Sequence, residues 1–141
     1  MKNAGTALDD MQIHVKFKLS ALWVSVMLCY IYGDYFGLWQ PGQLQGMLEG
    51  KMGPLGPTTQ LVLVGTSVMM AIPSVMVFLS LVLKPYLNRW VNIILGVIYT
   101  LIIVVTMPGS WAFYIFFGIV EVVLTALIVW YAWNWPQQQA A

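Results

Sequence analysis

The sequence predicts an all-α integral membrane protein, built as a bundle of four membrane-spanning helices. Of its 141 residues, 60% are hydrophobic and only 8% are charged, whereas about 25% of the residues in a typical soluble domain are charged. The apolar residues fall into four long runs, and about 20 apolar residues let one helix cross a hydrocarbon core of about 30 Å. The composition therefore excludes an ordinary soluble domain and a disordered chain.

The four spans follow from these apolar runs and from the residues that interrupt them. Lys16 and Lys18 precede the first run, but no cleavage site of small residues follows it, so we interpret this run as an uncleaved span. The turn Pro108-Gly109-Ser110 ends the third run, because proline and glycine disfavour the continuation of a helix. We place an N-terminal cytoplasmic segment at 1–18, a membrane domain at 19–135 with spans at about 19–38, 59–83, 90–107 and 111–133, and a tail at 136–141.

The loop between the first and second spans contains a short amphipathic segment. Leu44, Met47 and Leu48 follow Pro41 at a spacing that gives a helix one apolar face. We therefore expect a short interfacial helix on the outer membrane surface, and a lid over a cavity is the alternative for this loop. The return to the second span contains three glycines, which favour a flexible connection: Gly50, Gly53 and Gly56.

The positive charges predict the orientation. Five of the six lie on one side of a four-span chain, namely Lys2, Lys16, Lys18, Lys84 and Arg89. The opposite side carries only Lys51. Because cytoplasmic loops are enriched in Lys and Arg, we expect both termini in the cytoplasm and the protein in the bacterial inner membrane.

Two ionisable residues lie inside the spans, Asp34 and Glu121. Such residues are costly in hydrocarbon and are functional-site hypotheses by default. At a rise of about 1.5 Å per residue, Glu121 lies roughly 15 Å deep, near the midplane, while Asp34 lies near the outer interface. No Lys or Arg shares the depth of Glu121, and desolvation favours a neutral carboxylic acid. We expect Glu121 to be protonated at neutral pH, or accessible to water through a cavity.

Further polar residues predict a small polar centre around Glu121. The second span contains Pro73, so a carbonyl near Met69 or Met70 loses its helical partner and needs another one, or lines a cavity. We predict that the candidate site combines the following side chains: Glu121, Tyr99, Thr100, Tyr30, Ser67 and Ser74, with Asp34 as a secondary candidate.

Several chemical motifs are missing from the sequence. It has one histidine and one cysteine, so we expect no metal, haem or other cofactor. No lysine lies inside a span, which excludes a retinal Schiff base, and no nucleophile–base pair has a recognisable spacing. The net charge of +1 comes without the basic patch of a nucleic-acid-binding protein. We expect a protein that is not an enzyme and has no nucleic-acid partner.

The order of the motifs also resembles a known family. The segments are KLSALW, YGDY, PGQLQGMLEG, AIPSVMVFLSLVLKPYLNRWVNIILG and YIFFGIVEVVLTALIVWYAWNW. They resemble an uncharacterised family of small four-span bacterial membrane proteins, a domain of unknown function, over about residues 17–135. This resemblance implies a four-helix membrane bundle and no established activity. In architecture alone the chain distantly resembles DoxX-like four-span proteins.

Three functions remain open from the sequence. The first is a non-enzymatic scaffold, accessory subunit or homo-oligomer, whose partners are the lipid bilayer and further copies or a larger membrane complex. The alternative is a small proton-coupled transporter, or a binder of lipophilic cations or quinone-like molecules, that uses Glu121. It resembles the small multidrug exporters in its lone membrane glutamate, although theirs is in the first span. A lipid or quinone enzyme would need Asp34 and Glu121 together, and their depths differ by roughly 9 Å.

Overall fold

The computed structural model describes residues 11–136, and this part of the chain is helical without a named strand. The predicted all-α class is confirmed. The helices are α1 (Val15–Gly37), α2 (Gln43–Leu48), α3 (Gln60–Val82), α4 (Pro85–Thr106) and α5 (Ala112–Trp133), with a 3-10 turn at Gly53–Leu55. Lys2 and most of the predicted tail lie outside the described residues.

Four of these helices are long and apolar enough to cross a membrane. Each has 22 or 23 residues, which at about 1.5 Å per residue matches a hydrocarbon core of about 30 Å. The described chain is therefore built as a multi-pass membrane protein. The six-residue α2 lies in the loop where the sequence predicts a short helix. Its placement on the membrane surface stays a prediction.

Two of the long helices begin earlier than the apolar runs. The first begins at Val15, where the side chain of His14 accepts a hydrogen bond from the backbone N–H of Lys16. Helix α4 begins at Pro85. Proline suits a first helical position, because an N–H group at that position would have no partner within the helix. Both starts bring charged residues into the helix, so the helices extend beyond the apolar segments.

A lysine from α1 closes the end of α3. Lys16 Nζ donates hydrogen bonds to the carbonyl of Leu81 at 3.1 Å and to that of Leu83 at 2.7 Å. These carbonyls lie at the negative end of the α3 dipole, where a cation is stabilising. The same end of the bundle carries Lys18, Lys84 and Arg89, and we call it the basic end. The opposite end, with α2 and the 108–110 turn, is the loop end.

The long helices pack in the order α3, α1, α5, α4. The first helix packs along both α3 and α5, and α5 packs along α4, whereas α3 and α4 make few contacts with each other. A four-helix bundle normally closes at all four seams. Here the seam between α3 and α4 is open over part of its length.

Two glycines allow α4 and α5 to approach each other closely. A Cβ atom at Gly96 would lie 2.7 Å from Cγ2 of Val129, and one at Gly118 would lie 2.9 Å from Cγ of Met107. Small residues permit such close helix contact in membranes, where van der Waals packing drives association. The α4–α5 pair is therefore a fixed unit that positions the residues of both helices.

The densest part of the core lies in the half of the bundle next to the basic end, which we call the basic half. Its fully buried apolar side chains include Leu19, Trp23, Met76, Ile128 and Ala132. The other half, which we call the loop half, has fewer buried side chains. The bundle is therefore closed at one end and more loosely filled at the other.

A hydrogen-bonded cluster, the asparagine network, ties three helices together inside the basic half. The carbonyl oxygen of the Asn92 side chain accepts from Trp23 Nε1 at 2.7 Å and from Ser80 Oγ at 3.5 Å. Asn92 Nδ2 donates to Oδ1 of Asn88 at 2.7 Å, and Asn88 Nδ2 donates to the Ser80 carbonyl at 2.6 Å. Buried polar groups are costly unless they are hydrogen-bonded, and these groups all have partners.

Candidate functional site

A cavity of about 90 Å³ lies in the loop half, and all four long helices line it. Since each molecule of liquid water takes about 30 Å³, the cavity holds about three waters or one small head group. The polar and aromatic residues around it come from α1, α4 and α5: Tyr30, Asp34, Tyr99, Thr106, Tyr114, Phe117 and Glu121.

Glu121 lies at the deep end of this cavity. Its residue is only 6% exposed, and it lies on the same face of α5 as Gly118, the residue that contacts Met107. No hydrogen bond from a residue in the described range reaches its carboxyl group, and its carboxyl oxygens retain access to the cavity. Glu121 is therefore a buried acid that depends on the contents of the cavity for partners.

Asp34 lines the same cavity from α1, near the loop end. It is exposed, and it lies one turn before the end of the helix at Gly37. The sequence predicts different depths for the two acids, and the structure places both on one cavity. No hydrogen bond joins the two carboxyl groups within residues 11–136. The cavity thus extends from an exposed acid to a buried one.

Tyr99 forms the floor of the cavity on the side of the basic half. Its hydroxyl group donates a hydrogen bond to the carbonyl of Met69 at 2.5 Å. Pro73 has no N–H, so it leaves this carbonyl without its helical partner. The prediction of a freed carbonyl near Met69 that needs a partner is confirmed. The bond connects α4 to α3 on the loop side of the asparagine network, which joins the same two helices.

The indole ring of Trp23 packs against Tyr99 on the side of the basic half. The rings of Trp23 and Tyr99 are 5.9 Å apart and meet edge to face, an arrangement that stabilises aromatic pairs. Trp23 also donates to Asn92 in the asparagine network. The floor of the cavity therefore rests directly on the hydrogen-bonded core of the basic half.

Three of the candidate residues lie elsewhere. Thr100 donates to the Gly96 carbonyl at 2.7 Å and lies 2.7 Å from the hydroxyl of Thr125, so it links α4 to α5. Ser67 and Ser74 are exposed, and each donates to a carbonyl one turn back on α3. Serine hydroxyls in apolar helices are readily satisfied in this way. The cavity brings together Glu121, Tyr30, Tyr99 and Asp34.

Tyr114 and Met70 also line the cavity and were missing from the sequence-based set. Tyr114 precedes Glu121 by seven residues, which is two helical turns, so helical spacing already places both on one face of α5. For Met70 the only signal is the nearby proline, because an apolar side chain in an apolar helix does not indicate which face lies inward. The asparagine network was also missed as a unit, although Asn88 and Asn92 lie one turn apart.

The chemistry available in the cavity comes from its acids and its rings. In the described part of the chain, no group of three His, Cys, Asp or Glu side chains is arranged to hold a metal ion. The two carboxyl groups of the cavity, those of Asp34 and Glu121, can neutralise a positive charge or exchange a proton. The aromatic faces of the cavity attract cations. Apolar side chains of α3 and α4 complete the wall.

Comparison with known proteins gives one match. The profile of a family of unknown function (DUF6326) matches residues 9–141. This match agrees with the resemblance to an uncharacterised family noted from the sequence. No curated protein and no solved structure matches the chain. The DoxX-like likeness stays a prediction.

Proposed function

The chain belongs to the DUF6326 family, a family of unknown function, and we propose that it is a non-enzymatic membrane protein that binds a small lipophilic cation in exchange for a proton. The observation that supports this proposal is Glu121, a buried acid without a hydrogen-bond partner in the described chain, facing a cavity. A structural glutamate would be bonded between helices, as the asparagines of the basic half are. This acid is instead available to a ligand.

The lining of the cavity favours a cationic ligand. Asp34 and Glu121 supply negative charge, and the rings of Tyr30, Tyr99 and Phe117 supply aromatic faces. Aromatic residues of this kind recognise alkylammonium groups through cation–π attraction. A volume of about 90 Å³ limits the bound part to a small head group. A quinone-like head group would use the tyrosine hydroxyls rather than the acids.

The open seam offers a path for the apolar part of such a ligand. From the Tyr99–Met69 hydrogen bond toward the loop end, α3 and α4 both line the cavity, and these two helices make few contacts with each other. An alkyl tail can extend through this seam into the bilayer while the charged head stays beside Glu121. The ligand class is therefore a membrane-partitioned amphiphile with a small cationic head.

Proton exchange follows from the single buried acid. A proton and a cation neutralise the same carboxyl group, so each excludes the other. The basic half beneath Tyr99 is densely packed and hydrogen-bonded. Passage of the ligand to the basic end would need a second conformation in which the asparagine network opens. Proton-coupled transport is thus an extension of the proposed binding.

The test uses the protein in phosphatidylcholine nanodiscs and radiolabelled hexyltrimethylammonium in equilibrium dialysis, with empty nanodiscs subtracted. We expect saturable binding of one cation per chain. Replacing Glu121→Gln removes the charge at nearly constant shape and should weaken binding about tenfold or more, which corresponds to about 1.4 kcal/mol. Asp34→Asn should have a smaller effect, because Asp34 is exposed.

The matched control is Glu49→Gln, the same substitution at an acid outside the cavity. It should leave binding unchanged. A neutral tert-butyl analogue with the same alkyl chain should bind much more weakly than the cation. Equal binding by wild type and Glu121→Gln, or equal binding of the neutral analogue, would contradict the proposal.

A scaffold or homo-oligomer is the second candidate, and the open seam favours it as well. In this proposal a helix of a second copy packs against the α3–α4 seam, where the two helices make few contacts with each other. Native mass spectrometry of the protein released from nanodiscs distinguishes the two proposals. A monomer that binds the cation supports the binding function, whereas a stable oligomer that is indifferent to Glu121→Gln supports the scaffold.

We further propose that the protein lies in the bacterial inner membrane with both termini in the cytoplasm. Lys16, Lys18, Lys84 and Arg89 lie at one end of the bundle, against Lys51 at the other. Cysteine labelling in a Cys29→Ala background tests this. In that background, His14→Cys should be protected from an impermeant thiol reagent in intact cells, and Ser110→Cys should react with it.

A further inference from the structure

The basic end presents positive charges that the described chain does not balance with acids. Within residues 11–136 the carboxylates are Asp34, Glu49 and Glu121, which lie in the cavity or in the loop at the other end. Lys16 is bonded to the end of α3, and Lys18 lies over the ring of Tyr131. Within the described residues, Lys16 is therefore held by carbonyls and Lys18 by a ring, and neither forms an ion pair there.

Arg89 is the cation at this end that lies beside two aromatic rings. Its Cζ atom lies 5.9 Å from the ring centre of Trp90 and 5.8 Å from that of Trp133. Its Nε is buried and has no hydrogen-bond partner in the described structure. The guanidinium thus lies near rings from α4 and α5, and none of its N–H groups is bonded to a residue in the range 11–136.

The two indole rings also face the surroundings of the bundle. Trp90 is 40% exposed and Trp133 is 59% exposed. In a membrane-spanning bundle such rings lie at the depth of the lipid head groups, beside acyl chains. A helical side chain leans toward the N-terminus of its helix, which for Arg89 is the basic end at Pro85. This tendency predicts a guanidinium that is directed toward the head-group layer.

We infer that Arg89, Trp90 and Trp133 form a binding site for the phosphate of an anionic phospholipid. A guanidinium presents a planar fork of donors that matches phosphate oxygens. The exposed tryptophans supply an apolar surface for the upper part of the acyl chains. A free phosphate ion would make no use of that surface, so the lipid is the ligand that fits all three residues.

The experiment measures lipid preference with the full chain in phosphatidylcholine membranes. Electron spin resonance of spin-labelled phosphatidylglycerol and phosphatidylcholine gives the relative association constant of the anionic lipid. Arg89→Gln should lower this constant about fivefold, the effect of one well-placed cation near a membrane surface. Arg89→Lys should have an intermediate effect, because a lysine keeps the charge and loses the fork.

Lys84→Gln is the matched control, since it removes one charge from the same end at an exposed position without a ring partner. Its effect should be much smaller than that of Arg89→Gln. Trp133→Leu keeps every charge and should also lower the preference, which separates a built site from a diffuse positive field. An unchanged unfolding transition in detergent confirms that each variant is folded.

Three results would overturn the inference. Equal effects of Lys84→Gln and Arg89→Gln would show that only net charge matters. An unchanged preference in Arg89→Gln would show that the guanidinium does not bind lipid. Loss of the preference in millimolar inorganic phosphate would assign the site to a free anion instead of a lipid.

Discussion

The basic half and the loop half of this bundle treat polar side chains in opposite ways. In the basic half, Ser20 donates to the Val77 carbonyl, and the asparagine network connects Trp23, Ser80 and the two asparagines. In the loop half, Glu121 is buried beside a cavity without a partner in the described chain. A fully satisfied polar network rigidifies a core. An unsatisfied buried acid is costly, and the proposed ligand would supply its missing partner.

The contrast also separates the residues that stabilise the bundle from those of the proposed binding site. The floor of the cavity, Tyr99, rests on Trp23, which belongs to the network. Because the basic half is rigid, the loop half can remain open at the α3–α4 seam. Substitutions in the basic half should therefore mainly lower the free energy of unfolding. Substitutions in the loop half should mainly weaken binding.

The largest effect on stability is expected from Asn92→Ala. This change leaves Trp23 Nε1 without its acceptor and Asn88 without one of its donors. An orphaned buried polar group costs about 1–3 kcal/mol, and the space left by the missing side chain adds to this cost. We therefore expect the free energy of unfolding to fall by about 3 kcal/mol. Unfolding by SDS in mixed micelles measures it. Ser67→Ala, on the exposed face of α3, is the control and should change the free energy of unfolding little.

A smaller loss is expected from Gly96→Ala. The new Cβ would meet Val129 at 2.7 Å, and such overpacking costs about 1–3 kcal/mol. Gly65→Ala is the matched control, because no atom lies within 4 Å of a Cβ there. The control should be neutral or slightly stabilising, since alanine has the higher helix propensity. Equal effects of the two variants would mean that α4 and α5 are not in close contact.

Tyr99→Phe should cost about 1 kcal/mol, because the Met69 carbonyl loses its donor. The loss should be smaller in a Pro73→Ala background, where residue 73 regains an N–H for that carbonyl. A double-mutant cycle of SDS unfolding measures this coupling. Additive losses would show that the hydroxyl of Tyr99 does not compensate for the proline.

The smallest effect is expected at Glu49, an acid in the loop outside both halves of the bundle. In the loop, Lys51 Nζ and Gln45 Nε2 donate to the carboxylate of Glu49 at 2.9 and 3.3 Å and hold its pKa below the ordinary value. A lowered folded-state pKa contributes stability above the unfolded pKa, and the contribution is lost as the pH falls. Lys51→Gln should raise the Glu49 pKa with little effect on unfolding, because the pair is exposed. An NMR titration in both proteins would detect the shift, and identical midpoints would contradict it.

Local chemistry made much of the fold predictable. The lengths of the apolar runs predict the long helices, and the missing N–H of Pro73 predicts a free carbonyl at Met69. Helical spacing puts Asn88, Asn92 and Tyr99 on one face of α4, and all three are buried, as polar residues in a membrane helix should be. These inferences need only the geometry of one helix.

The choice of inward face on α3 was not predictable from the sequence. Ser67 and Ser74 share one face, yet the buried residues of α3 are Pro73, Met76 and Ser80. Lipid tails are as apolar as a core, so an apolar helix carries no strong signal for its inner side. The pairing of Trp23 with Asn92 depends on the packing of separate helices. The meeting of Asp34 and Glu121 at one cavity depends on it too.

One measurement tests the central claim that Glu121 serves binding whereas the asparagine network serves stability. Glu121→Gln is compared with wild type in SDS unfolding and in proton release on adding hexyltrimethylammonium in weakly buffered solution at neutral pH. We predict that the variant unfolds within about 1 kcal/mol of wild type, as expected where no hydrogen bond is removed, and releases no proton. A loss of stability comparable with that of Asn92→Ala, or proton release equal to wild type, would contradict the account.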